Sequence, residues 1–118
     1  MGQLTTHVLD TAHGCPAAGM HVALWAIAPD GMATHLQSVT LNDDGRVGRP
    51  LLEGAALMAG RYRLVFGVGA YFTARGVALP TPVFLDEVPL DFGVSDPSAH
   101  YHVPLLVSPW SYGTYRGS

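Results

Sequence analysis

The sequence predicts an all-β domain, a sandwich of two sheets joined by Greek-key connections. Three observations carry that reading. Glycine (14) and proline (9) recur at short intervals through the 118 residues, which leaves room only for short elements. No segment sustains a 3.6-residue apolar period, so long amphipathic helices are excluded. Between the turn residues lie short β-rich runs, roughly seven or eight in about one hundred residues, the density of a β-sandwich.

The elements follow in order. Leu4 to Asp10 alternates, with Leu4, Thr6 and Val8 on one face and Thr5, His7 and Leu9 on the other. Thr11 to Gly19 is a turn segment. Met20 to Ile27 is a second strand, stopped at Pro29, Asp30 and Gly31 because proline presets φ and glycine supplies positive φ. Ala33 to Leu41 is a third strand, ending in the turn Asn42 to Arg46. Pro50 to Ala59 reads as a short strand and loop. Arg61 to Gly69 alternates clearly, and Tyr71 to Gly76 supplies one short helix, weakened by Thr73 and flanking glycines. Phe84 to Val94 is a strand region interrupted near Pro89. Two final strands, Tyr101 to Val107 and Ser111 to Arg116, are separated by Ser108, Pro109 and Trp110.

Composition narrows the function classes. Charged residues are 13% of the chain, about half the usual share, beside an ordinary 48% hydrophobic. So little charge implies that some surface is hidden, most simply by self-association, although another partner would serve as well. All six basic residues are arginine and the formal net charge is −3, which gives no basic footprint for nucleic acid or an anionic membrane. The apolar runs are too short to span a bilayer. The first residues lack the pattern of a signal peptide, and a Ser-Lys-Leu address is absent. One cysteine excludes an internal disulfide framework and suits a reducing compartment. A single cytoplasmic domain over residues 1–118 is the expectation.

Six histidines offer candidate chemistry. His13 in a turn, His35 on a strand and His21 at a strand start read as surface residues. Cys15, between Gly14 and Pro16, reads as a small packed or partly exposed thiol. His100 and His102 stand two apart, so on one strand both imidazoles point the same way and could converge on a metal. Alternatively, His100 lies in the preceding loop and only His102 faces inward. Two ligands do not make a zinc site, and no cysteine or carboxylate stands at a useful spacing. His7, His102 and Arg46, taken singly, read equally well as packed strand histidines and a turn arginine. The stretch His100 to Ser118 is unusual for a chain end: two histidines, three tyrosines and a tryptophan with an apolar run suggest a terminus that is packed and used.

Joined together, these residues form a pattern. Leu4 to Ala17 (LTTHVLDTAHGCPA) resembles the N-terminal signature of the transthyretin-like proteins, and Asp44-Gly45-Arg46 resembles their central motif. Tyr101 to Ser108 (YHVPLLVS) and Tyr115 to Ser118 (YRGS) resemble the C-terminal signature of the enzymatic branch, the 5-hydroxyisourate hydrolases. Hormone-carrying transthyretins lack the terminal tetrapeptide and the residues at His7, Arg46 and His102. The resemblance covers Leu4 to Ser118. It implies a sandwich of two four-stranded sheets with one short helix. It also implies a homotetramer, a dimer of dimers, with active sites in a channel where the dimers meet. The implied reaction is hydrolytic ring opening of 5-hydroxyisourate to 2-oxo-4-hydroxy-4-carboxy-5-ureidoimidazoline, a step of urate breakdown. His7, Arg46, His102 and Ser118 would carry the site. Tyr112, Tyr115, Arg116 and Gly117 would complete the substrate surroundings. No step requires a metal, a redox partner or an organic cofactor.

The residue types suit that chemistry. A neutral imidazole can take a proton from water, and a fixed guanidinium can stabilise charge developing on a carbonyl oxygen. His102 with Ser118 is the expected water-activating pair, and His7 with Arg46 the expected substrate-polarising pair. Trp110 stands where a tyrosine is common in the family and Gly113 where a serine is common. Both flank the motif, and a strand glycine allows close backbone approach. The rival readings are a small-molecule carrier using the same channel, which has little use for two histidines and an arginine, and a histidine-based metal-binding protein.

Overall fold

The structure is a computed structural model and describes residues 1–117. Two sheets face each other. The first contains β1 (Gln3–Asp10), β2 (Cys15–Pro16), β5 (Leu52–Glu53), β8 (His100–Val107) and β9 (Tyr112–Thr114), in the order β2-β1-β8-β9, with β5 also on β1. The second has the order β4-β3-β6-β7, from β3 (His21–Ile27), β4 (Ala33–Thr40), β6 (Gly60–Gly67) and β7 (Glu87–Val94). β5 pairs with Gln3 and Leu4 and β2 with Leu9 and Asp10. These two short strands share one edge of β1, so the first sheet is at most four strands wide at any level. The expected sandwich is present, with a two-residue fifth strand as its addition.

Strand alternation builds the core. On β1 the even positions Leu4, Thr6, Val8 and Asp10 are buried, and the odd positions Gln3, Thr5, His7 and Leu9 are half-buried. Leu4 and Val8 meet Leu24 of β3, Leu64 and Phe66 of β6 and Leu105 of β8, none more than 1% exposed. Each such side chain contributes about 1.5–3 kcal/mol relative to exposure.

The elements differ from expectation in several places: the turn segment Thr11 to Gly19 contains the two-residue strand β2, and the last strand is confined to Tyr112–Thr114, short of the expected Ser111 to Arg116. β7 runs unbroken through Pro89, which pairs with Val65. The strand tolerates it because β7 is the sheet edge, where a missing N–H leaves no ladder bond unmade. The helix α1 (Val68–Ala74) begins earlier than its composition suggests. Val68, Tyr71 and Phe72 dock on the core, and Gly69 packs so closely that an added Cβ would lie 2.9 Å from Val83. Tertiary packing here overrides weak helix propensity.

One carboxylate is buried within this apolar frame. Asp10 is 0% exposed and accepts hydrogen bonds from the Tyr71 hydroxyl (2.8 Å) and the His13 backbone N–H (3.0 Å), with His13 Nδ1 at 2.6 Å. Burial alone would raise its carboxyl, but these bonds outweigh it and hold Asp10 below the usual carboxylate range. Burial pushes the Tyr71 phenol up, and Asp10 adds to that. The network ties the end of β1 to α1 and to the turn containing His13.

The pairing of β1 with β8 positions the candidate chemistry. The two strands run parallel, with Thr5 opposite His102 and His7 opposite Pro104. Because Leu4, Thr6 and Val8 take the core face, Thr5 and His7 project from the outer face of the sheet.

Candidate active site

Three segments meet on that outer face. His7 comes from β1 and His102 from β8. Arg46 arrives on the Asn42–Arg46 turn, which forms an isolated bridge to His7. The turn is built for this placement. Asn42 Oδ1 accepts from the N–H groups of Asp44 (2.9 Å) and Arg46 (3.1 Å). Gly45 adopts φ +68°, and its carbonyl accepts from the Val8 N–H at 3.0 Å. A Cβ at Gly45 would stand 2.6 Å from the Val8 carbonyl oxygen, so only glycine lets Arg46 follow so closely on β1.

The two imidazoles form one unit. His7 Nδ1 and His102 Nε2 share a 2.6 Å hydrogen bond, with the rings nearly parallel, 4.8 Å between centroids. His102 Nδ1 is held in turn by Thr5 Oγ1 at 2.7 Å. Both nitrogens of His102 are therefore engaged. Among the described residues, the ring nitrogen of this pair left for a ligand is Nε2 of His7. The expected water-activating pair is His102 with Ser118, and Ser118 lies outside the described residues; spacing shows which residues share a face and not which nitrogens are taken.

Electrostatics follow from position. Burial, then the Arg46 charge, depresses His7 below the ordinary histidine range. Burial also depresses His102, which is 9% exposed, with further contributions from His7, Arg46 and His100. Both rings are thus biased towards the neutral form, the form able to accept a proton near pH 7. An open cleft of about 410 Å³ adjoins His102 and Arg46, lined also by Gln3, Thr5, Arg49 and His100 among others.

The terminal motif divides between two surroundings. Gly117 lies against His102. Its N–H donates to the His102 carbonyl at 2.7 Å, and a Cβ there would meet His102 Cδ2 at 2.7 Å. Arg116 turns the other way: its guanidinium lies 4.2 Å over the Tyr101 ring, and Nη2 donates to the His100 carbonyl at 3.4 Å. Tyr115 and Arg116 line a cavity of about 370 Å³ between β7 and β9, with Leu90, Phe92 and Tyr101. Tyr112 pairs with Val107, five residues along β8 from His102, or about 16 Å of strand. Ser118, expected in the site, lies outside the described residues.

Of the remaining candidates, His21, His35 and Cys15 sit elsewhere, and His100 lines the same cleft as His102. His21 is exposed and bonds Thr40, and exposed His35 bonds Ser38. Cys15 is half-buried, with Arg75 Nη1 3.7 Å from its sulfur. His100 begins β8, exposed, and its Nε2 lies 2.9 Å from Thr5 Oγ1. Thr5 is the residue that sequence reasoning missed. Its signal was the i, i+2 spacing with His7, which places a hydroxyl and an imidazole on one face.

The sequence model of the HIUase/Transthyretin family matches residues 4–117. A protein of Ralstonia nicotianae named 5-hydroxyisourate hydrolase is 58% identical over 118 residues, covering 100% of both chains. The structure of a Klebsiella pneumoniae 5-hydroxyisourate hydrolase superposes with a TM-score of 0.81 at 33% identity, over 100% of both chains. A crystal structure titled (S)-allantoin synthase gives a TM-score of 0.93 at 49% identity over 99% of this chain, which spans 44% of that longer protein. With its sheet order, its His7–Arg46–His102 cluster and this match along almost its whole length, the chain belongs to the HIUase/Transthyretin family.

Proposed function

We propose that this chain hydrolyses 5-hydroxyisourate, opening a ring amide to give 2-oxo-4-hydroxy-4-carboxy-5-ureidoimidazoline in urate breakdown. The observation that carries the mechanism is the hydrogen-bonded His7–His102 pair beside Arg46. Neutral His7 takes a proton at Nε2 from water while the water oxygen bonds to the amide carbon. The carbonyl electron pair moves onto oxygen, where the Arg46 guanidinium stabilises it. Collapse of this adduct re-forms the carbonyl and breaks the carbon–nitrogen bond, and the leaving nitrogen takes a proton from His7 Nε2. The new carboxylic acid then ionises. The books close on one water consumed and one proton released.

In this reading residues 1–118 act as one domain in the cytoplasm and assemble as a dimer of dimers. Exposed Phe84 and Trp110, with ring centroids 5.9 Å apart, support such burial. Gly117 holds His102, Arg116 anchors the terminal segment on Tyr101, and Tyr112, Tyr115 and Ser118 act from the assembled channel. The test is spectrophotometric: freshly generated 5-hydroxyisourate should lose its ultraviolet absorbance faster with the protein present. An unchanged decay removes the reading.

A further inference from the structure

The hydrogen bonds behind His102 continue beyond the residues the reaction needs. Thr5 Oγ1 lies 2.7 Å from His102 Nδ1 and 2.9 Å from His100 Nε2. A hydroxyl has one proton, so it donates to one of these rings and accepts from the other. The tautomers of three histidines are thereby locked together. If His7 donates from Nδ1, His102 must donate from Nδ1 to Thr5, and Thr5 must donate to His100. Reversing one bond reverses all. Gln3 Nε2 approaches His100 at 3.5 Å, too long to compete with Thr5.

We propose that Thr5 and His100 are positioning residues that form a proton relay behind the catalytic pair, connecting His7 through His102 to solvent at His100. This rests on the hydrolytic reading above.

The relay answers a need of that reaction. A proton taken by His7 would remain in a half-buried site already facing the Arg46 charge, which His7 meets through the β1 bridge. Moving it along the chain exchanges that position for an exposed ring on the same sheet face. As Nε2 of His7 gains the water proton, its Nδ1 proton passes to His102 Nε2. The His102 Nδ1 proton passes to Thr5, and the Thr5 proton passes to His100 Nε2. His100 then loses its Nδ1 proton to solvent. Every hydrogen bond now points the other way, and His7 carries its proton on Nε2. That is the form that protonates the leaving nitrogen, drawing a proton inward from solvent at His100 and resetting the chain. No oxidant, reductant or further reactant is required.

Parallel pairing makes the relay possible. Thr5 stands directly opposite His102, and the two-residue period places His100 and His102 on one face, 6.3 Å between ring centroids. The shared hydroxyl fills the gap.

The test compares wild type, Thr5→Val, Thr5→Ser and His100→Gln with 5-hydroxyisourate as substrate, across pH and with added imidazole. Valine keeps the β-branched shape and removes the hydroxyl. Thr5→Val should lower kcat about tenfold with KM within about twofold, and Thr5→Ser should recover most of that loss. His100→Gln should slow severalfold and regain rate with imidazole, to which wild type is indifferent. Wild-type kcat in Thr5→Val, equal losses in the valine and serine variants, or a fully active His100→Gln indifferent to imidazole each overturns the relay. Wild type that fails to turn over 5-hydroxyisourate overturns the hydrolytic reading itself, whereas active wild type with unaffected variants removes only the relay.

Discussion

Replacing Gly117 by alanine tests whether the terminal motif serves the site through its backbone. The added Cβ would stand 2.7 Å from His102 Cδ2 and 3.2 Å from both Cβ and Cγ of the same residue. Carbon atoms prefer about 3.5–4.0 Å, so either the terminal segment or the imidazole must move by roughly 1 Å. If the segment moves, the 2.7 Å bond from the Gly117 N–H to the His102 carbonyl is lost, at about 0.5–1.5 kcal/mol. If the ring moves, its 2.6 Å bond to His7 and its 2.7 Å bond to Thr5 are both stretched. A misplacement of about 1 Å costs up to 10²-fold in rate. Gly117→Ala should therefore lower kcat about 10- to 100-fold. The thermal midpoint should hardly move, because Tyr115 and Arg116 are exposed and add little to the core. Initial rates and a melting curve on the same preparation measure both. An active alanine variant would mean that the segment does not hold His102, and a collapse in stability would mean that it belongs to the core.

Other outcomes follow from the same geometry. Arg46→Gln should lower kcat by about 10²–10³. It should also move the acid limb of the kcat/KM profile upward, since Arg46 helps depress His7 and His102; an unmoved limb would separate Arg46 from both rings. For stability the sign is fixed by the same depression: below about pH 6.5 the unfolded histidines bind protons that the folded ones refuse, so stability falls as pH drops towards the lowered folded values. Tyr71→Phe removes one of the hydrogen bonds on buried Asp10 and should cost about 1–3 kcal/mol in urea unfolding while leaving kcat near wild type; an unchanged midpoint would make the network dispensable. Deleting Tyr115 to Ser118 should abolish most turnover with the circular dichroism of the sandwich retained, and full activity in the shortened protein would remove the motif from the mechanism.

Much of this was legible in the sequence, for definable reasons. The two faces of β1 follow from the alternation of Leu4, Thr5, Thr6 and His7, because strand geometry fixes a period of two. That His7, Arg46 and His102 meet came from motif resemblance, since His7 and His102, 95 positions apart in the chain, carry no local sign of contact. Pro89 misled because its effect depends on whether a strand is central or at an edge, and that is decided by partners. The helix start at Val68 depended likewise on docking. Thr5 was placed on the correct face without a role, because its role is a shared proton between two rings brought together by register.

The β1–β8 pairing also sets a clock. Thr5 and His102 are 97 residues apart yet neighbours in the ladder, a contact of high sequence separation that closes slowly. At about 5–20 residues per second of synthesis, β1 waits roughly 5–20 s before its main partner exists. Meanwhile it has only the two short strands beside it in the sheet: β3 and β6 can already cover its Leu4 and Val8 face, but the edge that will meet β8 stays unpaired. An open edge of that kind is where nascent chains associate wrongly. The same register that gives His102 its hydroxyl partner thus makes the first strand the part of the newborn protein most dependent on protection.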